Sequence, residues 1–481
     1  MRREYIRTLF LILCKAVHDL YPDGRIKILF PVSNGYYCDL LIGEVVSPEI
    51  VAGIRHRMRD IIKADLRIVA HKKPREEVLK VFEGDESKVR LMRSIDAKTL
   101  RYCSLDDYND TFYNAMLKST GGISLFGLEL YYNGILLRVP DANDPSRLGK
   151  YIRQDKMLDA FMESHRWQDR MGISNVGTLN EANEAGYSSQ LITVFEAMQE
   201  KRLSRIADDI MARRDVRVIL IAGPSSSGKT TTCKRLSVQL VVNGMFPQQI
   251  SMDDYYVDRE LSPRDENGEY DFESIHALNL DLFNEHVNAL IRGEEVELPR
   301  YNFMTGKSEM SGKKIRLEDN EVLVIEGIHA LNPELTSHIP QRQIYRLYAS
   351  ALTSITLDDH NYIPTTDNRL LRRMVRDNKY RNATAEKTLS RWASVRRGED
   401  KWIFPYQENA DAVFNTALLF ELAVLKPQAE PLLAAVPKSS PVYDEAKRLK
   451  SLLRHIKPMQ EKQIPPTSLL REFLGGSSFE Y

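Results

Sequence analysis

The sequence has few cysteines, no excess of either charge and no long hydrophobic run. Its four cysteines, at positions 14, 38, 103 and 233, form no CxxC pair and show no zinc-ligand spacing. We therefore expect buried thiols in a reducing compartment rather than disulfides or a structural zinc site. The 67 basic and 67 acidic residues cancel, so the overall charge does not favour binding to nucleic acid or to an anionic membrane.

No apolar stretch reaches the length of a membrane span. The first apolar run, at 9–14, follows Arg2, Arg3 and Arg7 but ends at Lys15, and it is too short for the core of a signal peptide. Its apolar positions instead follow helical spacing. We predict a cytoplasmic protein without a membrane partner.

The length of the chain predicts several domains, because 481 residues exceed the size at which one hydrophobic core stops growing. Breaker clusters suggest an α+β domain at 1–142, a helical connector at 143–212, an α/β domain at 213–430 and a C-terminal part at 431–481. Around the last boundary we predict a Pro- and Ala-rich linker at 427–441, then a helix at 443–456 and a partly mobile tail. The sequence leaves the oligomeric state open.

The first two parts show both helical and strand patterns. The predicted helices lie near 5–20, 48–63, 157–168 and 190–212, and the predicted strands near 26–31, 36–42, 123–130 and 134–139. The third part differs, because short apolar runs alternate with helical patterns at 216–222, 249–252, 322–326, 344–348 and 412–415. Such runs are typical of strands buried on both faces, and they predict a doubly wound α/β fold with a parallel sheet.

The sequence GPSSSGKT at 223–230 matches the phosphate-binding pattern G-x-x-x-x-G-K-S/T at every fixed position. Glycines let the backbone wrap around an anion, and the helix that follows presents its positive end to that anion. We predict that Lys229 reaches the β- and γ-phosphates of ATP and that Thr230 supplies a hydroxyl to Mg²⁺. A chance match is the alternative, but this loop follows an apolar strand and opens a helix, as a P-loop NTPase fold requires. The predicted nucleotide-binding residues are Gly223, Pro224, Ser225, Ser226, Ser227, Gly228, Lys229, Thr230 and Thr231.

Two carboxylates stand at the ends of neighbouring predicted strands. Asp253 ends the second strand and Glu326 ends the third. Because ligands bind outside the carboxyl ends of strands in open α/β sheets, Asp253 is predicted to accept the proton of a substrate hydroxyl that attacks the γ-phosphate. Glu326 is predicted to hold Mg²⁺, directly or through water. Each carboxylate could instead begin a turn or cap a helix.

A basic segment follows later in the chain. Its arginines at positions 369, 372, 373 and 376 share one face of a predicted helix. The ordinary explanation is a solvated face, but in phosphoryl-transfer enzymes mobile arginines close over the triphosphate. We favour such a lid, with Arg373 and Arg376 as its catalytic arginines and Arg381 as a further member.

Several motifs occur in a fixed order after the phosphate-binding loop. They are SMDDYY at 251–256, ELPRYNF at 297–303, VIEGIHAL at 324–331 and RRMVRD at 372–377. With these motifs, residues 216–430 resemble the uridine kinase and phosphoribulokinase family. The resemblance implies ATP and Mg²⁺ as cofactors, Asp253 as catalytic base, Tyr301 near the base or sugar of the substrate, and Arg373, Arg376 and Arg381 in the lid.

The sequence departs from that family on the acceptor side. Uridine kinases usually carry an Asp before a His-Pro pair for the ribose hydroxyls, and here Glu273 begins the matching segment. A histidine that contacts the pyrimidine is matched by Gly306, and a later lid arginine is matched by Ala383. The predicted substrate contacts are therefore Asp253, Tyr301, Glu273 and Arg381. The acceptor is left open between a nucleoside and another small molecule.

The N-terminal part resembles the additional domain of threonyl- and alanyl-tRNA synthetases. The likeness rests on the segments AV at 16–17, LYP at 20–22 and PVSNGYY at 31–37. In those proteins two histidines, a cysteine and a further histidine form a metal-dependent editing site. The matching positions here hold Leu11, Lys15, Gly134 and Arg138, so we expect no metal-assisted hydrolysis.

Three functions follow from these patterns. The leading one is an ATP-dependent kinase that transfers the γ-phosphate to a hydroxyl of a nucleoside or similar small molecule, with no nucleic-acid partner. The second is an RNA-binding protein with ATP as a regulatory ligand, for which the sequence offers only a short basic run at 71–75. The third is a kinase for a non-nucleoside sugar or polyol.

Overall fold

The computed structural model describes residues 2–265, 268–302 and 304–480. Phe303, the last residue of the ELPRYNF motif, lies outside the described residues. Within them, no helix combines the length and the apolar character that a membrane crossing needs.

The N-terminal part contains two antiparallel sheets, in the strand orders β1-β2-β7-β6 and β3-β4-β5. Apolar residues of α1 and α2, such as Leu9 and Ile54, are fully buried against the first sheet. The predicted α+β class is confirmed, although the last two strands are shorter than predicted. The elements are α1 (Arg2–Leu20), β1 (Arg25–Val32), β2 (Gly35–Leu41), α2 (Pro48–Lys63), β3 (Ile68–Pro74), α3 (Arg75–Val81), α4 (Glu86–Ser94), β4 (Thr99–Leu105), β5 (Tyr108–Asp110), β6 (Gly127–Tyr131) and β7 (Gly134–Arg138).

Three helices connect the two halves, α5 (Asp155–Met171), α6 (Val176–Glu184) and α7 (Ser188–Ala212). The sequence predicted the first and third of these and missed α6. This helix is short, and it begins at a capping box in which Asn175 and Thr178 satisfy each other's backbone N–H groups.

The third part is built on a parallel sheet in the order β16-β13-β8-β12-β9. All five residues of β8 are buried, as expected for a strand covered by helices on both faces. The predicted doubly wound α/β fold is confirmed. The elements are β8 (Val218–Ala222), α8 (Lys229–Val242), β9 (Phe246–Ser251), α9 (Leu280–Ile291), β10 (Val296–Asn302), β11 (Lys307–Ile315), β12 (Glu321–Glu326), β13 (Ile344–Ser350), β14 (Thr356–Asp358), β15 (Asn361–Tyr362), α10 (Thr365–Arg381), α11 (Ala385–Trp402) and β16 (Ala412–Asn415).

The C-terminal part corrects two predictions. The predicted linker at 427–441 is wrong for its first half, because Pro427 and Pro431 lie inside α12 (Glu421–Ala434). Prolines weaken a helix interior, but Leu425, Ala429 and Leu433 are buried in the core, and such packing supplies most helix stability in proteins. The predicted helix near 443–456 is present as α13 (Tyr443–Leu453).

The prediction of a partly mobile tail is corrected for residues 469–474. Leu469, Leu470, Phe473 and Leu474 are fully buried around the short helix α14 (Arg471–Leu474). The Gly and Ser residues that suggested mobility come only after this apolar anchor. The tail therefore packs as part of the core.

Polar contacts join the N-terminal part to the third part. The Ile28 N–H donates to the Asp359 carbonyl at 2.7 Å. The buried Lys88 ammonium contacts Asp85 at 2.9 Å, His360 Nδ1 at 3.0 Å and Asp110 at 3.2 Å. His360 belongs to the third part, so these charges span both halves of the chain.

Candidate functional site

The phosphate-binding loop takes a backbone shape that its sequence requires. Gly228 has φ of 82° immediately before α8, a conformation in which glycine meets no Cβ penalty. Ser226 also lies in the left-handed region, with φ of 57°. At Gly223 an added Cβ would stand 2.1 Å from the Ala349 carbonyl oxygen. The loop therefore sits tightly between β8 and the neighbouring strand β13.

The loop carries polar groups that no described residue satisfies. The hydroxyls of Ser226 and Ser227 are buried and have no hydrogen-bond partner in the described part of the chain. Among the described residues, Lys229 Nζ donates a hydrogen bond only to the Pro224 carbonyl, at 3.3 Å. Unpaired buried hydroxyls are unfavourable, and the N-terminal end of α8 favours an anion. These residues fit the triphosphate of a nucleotide.

Thr230 and Glu326 meet at the base of the loop. The Thr230 hydroxyl donates to Glu326 Oε1 at 2.8 Å. Burial raises the pKa of Glu326, the Lys229 charge works against that rise, and the Asp253 carboxylate adds to it. A hydroxyl oxygen beside a carboxylate suits Mg²⁺, which prefers oxygen ligands. The pair therefore fits the predicted metal-binding role.

Asp253 lies at the same edge of the sheet, in a turn directly after β9. Its side chain is open to the solvent of the cleft, while protein groups line the cleft around it. This partial desolvation raises the pKa of Asp253, and the Lys229 and Arg381 charges oppose the rise. A carboxylate with a raised pKa is a better proton acceptor than an ordinary aspartate.

Glu273 and Tyr301, two of the predicted substrate contacts, form a group with Tyr256 near Asp253. Burial, together with the nearby Glu399 carboxylate, raises the pKa of Glu273 to about 7. The ring of Tyr301 lies 5.5 Å from that of Tyr256, and the Tyr256 hydroxyl donates to the Phe272 carbonyl at 3.0 Å. Carboxylate and aromatic surfaces thus stand together next to Asp253.

The arginine stripe divides into two groups. Arg369 and Arg372 are fully buried, so neither a solvated face nor a mobile lid describes them. Arg369 forms an ion pair with buried Glu399, and Arg372 pairs with buried Glu421 at 2.5 Å. Arg372 also donates to the Thr416 carbonyl at 2.9 Å. Arg369 Nε also donates to the Ser225 carbonyl at 2.9 Å, so this buried group supports the phosphate-binding loop from below.

The other three arginines gather around Asp377. Arg373 lies 3.3 Å and Arg376 2.8 Å from its carboxylate, and exposed Arg381 lies 3.7 Å away. Arg373 Nη1 also donates to the Ser225 hydroxyl at 2.6 Å. The structure thus brings Arg373 to the loop, with Arg376 and Arg381 beside it.

Sequence reasoning missed three carboxylates of this site. Glu399 Oε1 accepts the Ser225 backbone N–H at 2.9 Å, and Asp377 holds the outer arginines. Glu472, from the tail, accepts the Thr231 hydroxyl at 2.6 Å and the Thr231 N–H at 3.4 Å. The first and third contacts join residues that are 174 and 241 positions apart, so no local motif marks them.

The departures on the acceptor side have a structural counterpart. Gly306 has φ of 73°, and a Cβ added there would lie 2.8 Å from the Arg259 guanidinium carbon. Arg259 therefore fills the space that a side chain at position 306 would need. A histidine at this position would require the Arg259 side chain to move and a non-glycine residue in the left-handed region.

The positions matched to the editing site of the synthetases do not gather metal ligands. Leu11 is fully buried in the apolar core, and Lys15 Nζ contacts Asp107 at 2.7 Å. A different group, Cys14, Asp110 and His360, has ligand atoms within 4.8 Å of one another. The Lys88 ammonium lies 3.2 Å from Asp110 and 3.0 Å from His360, so a cation of the chain itself already neutralises that cluster.

Comparisons with known proteins agree on the third part of the chain. The model of the Phosphoribulokinase / Uridine kinase family matches residues 218–419. A uridine kinase from Halobacterium salinarum is 28% identical over 195 residues, which cover 40% of this chain and 77% of that protein. A uridine kinase from Staphylococcus aureus (strain JH9) is 29% identical over 197 residues, which cover 41% and 86%.

Among solved structures, a protein described as a possible uridine kinase from Bacillus stearothermophilus is 20% identical, with a TM-score of 0.29. That match covers 44% of this chain and 97% of the other. Residues 218–419 are thus similar in sequence to uridine kinases, and their parallel sheet with the phosphate-binding loop has the α/β P-loop fold.

Proposed function

We propose that this chain is an ATP-dependent kinase that transfers the γ-phosphate to a hydroxyl of a nucleoside or a similar small molecule. One observation carries the proposal. The phosphate-binding loop, the Thr230–Glu326 pair and the Asp253 carboxylate follow three adjacent strands, β8, β12 and β9, at one edge of the sheet. A phosphate donor, a metal ion and a proton acceptor would therefore meet there.

Each residue then has a defined role. The loop backbone, the Ser226 and Ser227 hydroxyls and Lys229 bind the triphosphate. Thr230 and Glu326 would hold Mg²⁺, which when bound neutralises charge on the phosphate oxygens. Asp253 accepts the proton of the acceptor hydroxyl as its oxygen bonds to the γ-phosphorus. The bond from that phosphorus to the β–γ bridging oxygen breaks, and ADP leaves.

The arginines stabilise the charge that spreads over the transferred phosphoryl group. Arg373 already contacts the loop through Ser225. Arg376 and Arg381 lie next to it and form ion pairs with Asp377. Guanidinium groups in this position commonly supply a large part of the rate of phosphoryl transfer. We infer that the three act as the lid predicted from the sequence.

Glu273 and Tyr301 are proposed to bind the acceptor. A carboxylate beside Asp253 can accept hydrogen bonds from vicinal hydroxyls, and the Tyr256 and Tyr301 rings offer a surface for a sugar or a base. A non-nucleoside sugar or polyol is the second candidate acceptor. The observation that favours it is the Arg259 side chain at the position of the missing histidine.

The proposal is tested with Asp253→Asn and the acceptors uridine, cytidine, other nucleosides and sugar alcohols. We expect the parent to release ADP with at least one of these acceptors. With that acceptor, Asp253→Asn should release ADP about a thousandfold more slowly than the parent, while calorimetry shows unchanged ATP binding. Asp281→Asn, at an exposed position of α9, serves as the matched control and should behave like the parent. Full turnover by Asp253→Asn would overturn the assignment.

A further inference from the structure

A large cleft outside the kinase site concentrates positive charge. It has a volume of about 980 Å³ and lies between the β3–β4 strands of the N-terminal part and the helix α13. Acidic and basic residues balance over the whole chain, but among the residues that the structure describes Asp444 is the only acidic side chain that lines this cleft. Its lining contains six basic residues that have no ion pair in the described part of the chain: Lys72, Arg101, Lys118, Lys447, Lys450 and Arg454.

The register of the sheet places two of these charges face to face. Lys72 on β3 pairs directly with Arg101 on β4. Like charges opposite each other in an antiparallel pair are destabilising. The neighbouring Lys73, by contrast, lies 3.9 Å from Glu77. Glu77 thus offsets the charge of Lys73 beside the cleft. Within the described residues, no carboxylate offsets the charges of Lys72 and Arg101 inside it.

The opposite wall repeats this pattern. Lys447 and Lys450 are three residues apart on α13, and Arg454 caps the helix one turn further on. Like charges at this spacing repel each other. Arg448 also lines the cleft, but it is paired with Asp367 at 2.6 Å. Two walls of unpaired cations facing one space indicate an anionic ligand.

An aromatic pair lies between the two cationic walls. Tyr113 is half-buried, and its ring meets that of His455 edge to face at 4.4 Å. The stacked rings of His71 and Tyr102 point to the other face of the sheet, because they form the pair next to Lys72 and Arg101. Cationic walls with an aromatic face between them suit the phosphates and bases of unpaired nucleotides.

We propose that this cleft binds a single-stranded segment of nucleic acid. Six unpaired cations exceed the charge of one nucleoside triphosphate, and they are spread over two walls. The volume is also at the upper end for a small-molecule pocket. The sequence offered RNA binding only as an alternative, on the short basic run at 71–75. The cleft itself forms only when residues near 72, 101 and 450 come together in the fold. The proposal is independent of the kinase site.

The test uses the full-length chain and a fluorescein-labelled oligouridylate of about 12 nucleotides, with an oligothymidylate of equal length as the DNA arm. The variant is Lys447→Gln/Lys450→Gln. Its matched control is Lys438→Gln/Lys462→Gln, because those two lysines are exposed, unpaired in the described residues and outside the cleft. Fluorescence anisotropy between about 50 and 200 mM salt gives the affinity and its salt slope.

We expect the parent and the control to bind the RNA arm, the DNA arm or both. The cleft variant should bind at least about tenfold more weakly, with a salt slope reduced by about 1.4, because each cation contributes about 0.7 for a single strand. ADP release should not change. Equal affinity and slope in the cleft variant would overturn the proposal, as would binding of inorganic polyphosphate or an acidic peptide in place of both oligonucleotides.

Discussion

Glu273, the proposed acceptor contact, has a pKa that would let its protonation control the binding of the acceptor. Burial and the Glu399 carboxylate raise its pKa to about 7, while the Arg373 and Lys229 charges oppose that rise. The ionised carboxylate accepts hydrogen bonds from hydroxyls, and the protonated form loses part of that capacity. Its state therefore changes across the neutral range, where an ordinary glutamate is always ionised.

Glu273→Gln should remove a pH dependence of acceptor binding. In the parent, the KM for the acceptor should fall as the pH rises through about 7, since the carboxylate ionises there. The variant should show a higher KM and no transition near that pH. Initial rates across the neutral range, separated into kcat and KM, measure this effect, with Glu285→Gln at an exposed position of α9 as the control. An unchanged profile in Glu273→Gln would remove Glu273 from the acceptor site.

The residues of the phosphate-binding loop can be identified from the sequence because their chemistry is local. Glycines, a lysine and a threonine at fixed spacing define the loop without any other part of the chain. Asp377 has a local signal that went unused, since it stands four residues after Arg373 and four before Arg381 on one helix. Glu399 cannot be found from the sequence, because it meets the Ser225 N–H and Arg369 only in the folded chain. For the same reason the sequence placed Arg369 and Arg372 on a solvated face or in a lid, where the structure buries them under the loop.

At the scale of elements, helix α11 braces the part of the phosphate-binding loop around Ser225. Glu399 accepts the Ser225 N–H at 2.9 Å and pairs with buried Arg369. Arg396 Nη1 donates to the other carboxylate oxygen at 2.9 Å. Gly398 permits this approach, since a Cβ there would lie 2.4 Å from the Glu273 Cβ. Helix α11 therefore contacts both the phosphate-binding loop and Glu273.

Glu399→Gln should destabilise the fold and weaken ATP binding together. The variant leaves the Arg369 guanidinium buried without a counter-charge, which costs about 3 to 5 kcal/mol. Urea unfolding and calorimetric titration with ATP measure the two effects, and Glu386→Gln in the first turn of α11 is the control. Arg369→Met/Glu399→Gln should recover part of the stability, because it removes both charges. Parent-like stability in Glu399→Gln would contradict the bracing role.

The tail element contacts the donor site from the other side. The Glu472 carboxylate accepts both polar groups of Thr231, in the first turn of α8, where the helix favours an anion. Leu469 packs against Gly228, since a Cβ on that glycine would lie 2.8 Å from it. A carboxylate of the chain thus occupies donors that a nucleotide phosphate would use.

Glu472→Gln should therefore bind ATP about fivefold more tightly, because an anion at a helix N-terminus is worth about 1 kcal/mol and the neutral amide competes less well. Calorimetry on the parent, this variant and Glu480→Gln, an exposed position further along the tail, measures the change. Equal or weaker ATP binding in Glu472→Gln would mean that the tail supports the donor site instead of competing at it.

Helices and strands were predictable where one period dominated the sequence. The buried strands of the parallel sheet are continuous apolar runs, and α2 has the bounds that its pattern predicted. In α12 the local signal of Pro427 and Pro431 favours a linker, and only the burial of its apolar residues reverses it. The local sequence does not show how strongly a helix will pack against the rest of the folded chain.

At the scale of the whole molecule, buried charges couple the N-terminal part to the kinase part. Burial alone would raise the pKa of Asp110, but the His360 and Lys88 charges outweigh it and lower that pKa to about 2. The ionised form therefore stabilises the folded chain above the ordinary aspartate range, and this contribution is lost as the pH falls from about 4 towards 2. Lys88 lies in the N-terminal part and His360 in the third part. Separation of these two parts would therefore expose Lys88, Asp110 and His360 to solvent.

Lys88→Met should destabilise both parts in one transition. It leaves buried carboxylates without their cation, at a cost of about 3 to 5 kcal/mol. The three tryptophans, at 167, 392 and 402, all lie outside the N-terminal part. A shift of the tryptophan-detected urea transition in Lys88→Met, and none in exposed Lys98→Met, would report the coupling. An unshifted tryptophan signal would mean that the two parts unfold independently, as the division at residue 142 predicts.

The most direct test of the central claim follows the label of γ-³²P-ATP in the full-length chain over uridine, cytidine, other nucleosides and sugar alcohols. The proposed chemistry predicts that label moves to a hydroxyl of one acceptor in the parent and in Asp281→Asn, and that Asp253→Asn binds ATP but transfers almost none. Transfer by Asp253→Asn at the parent rate, or no labelled acceptor in the parent with any member of the panel, would contradict it.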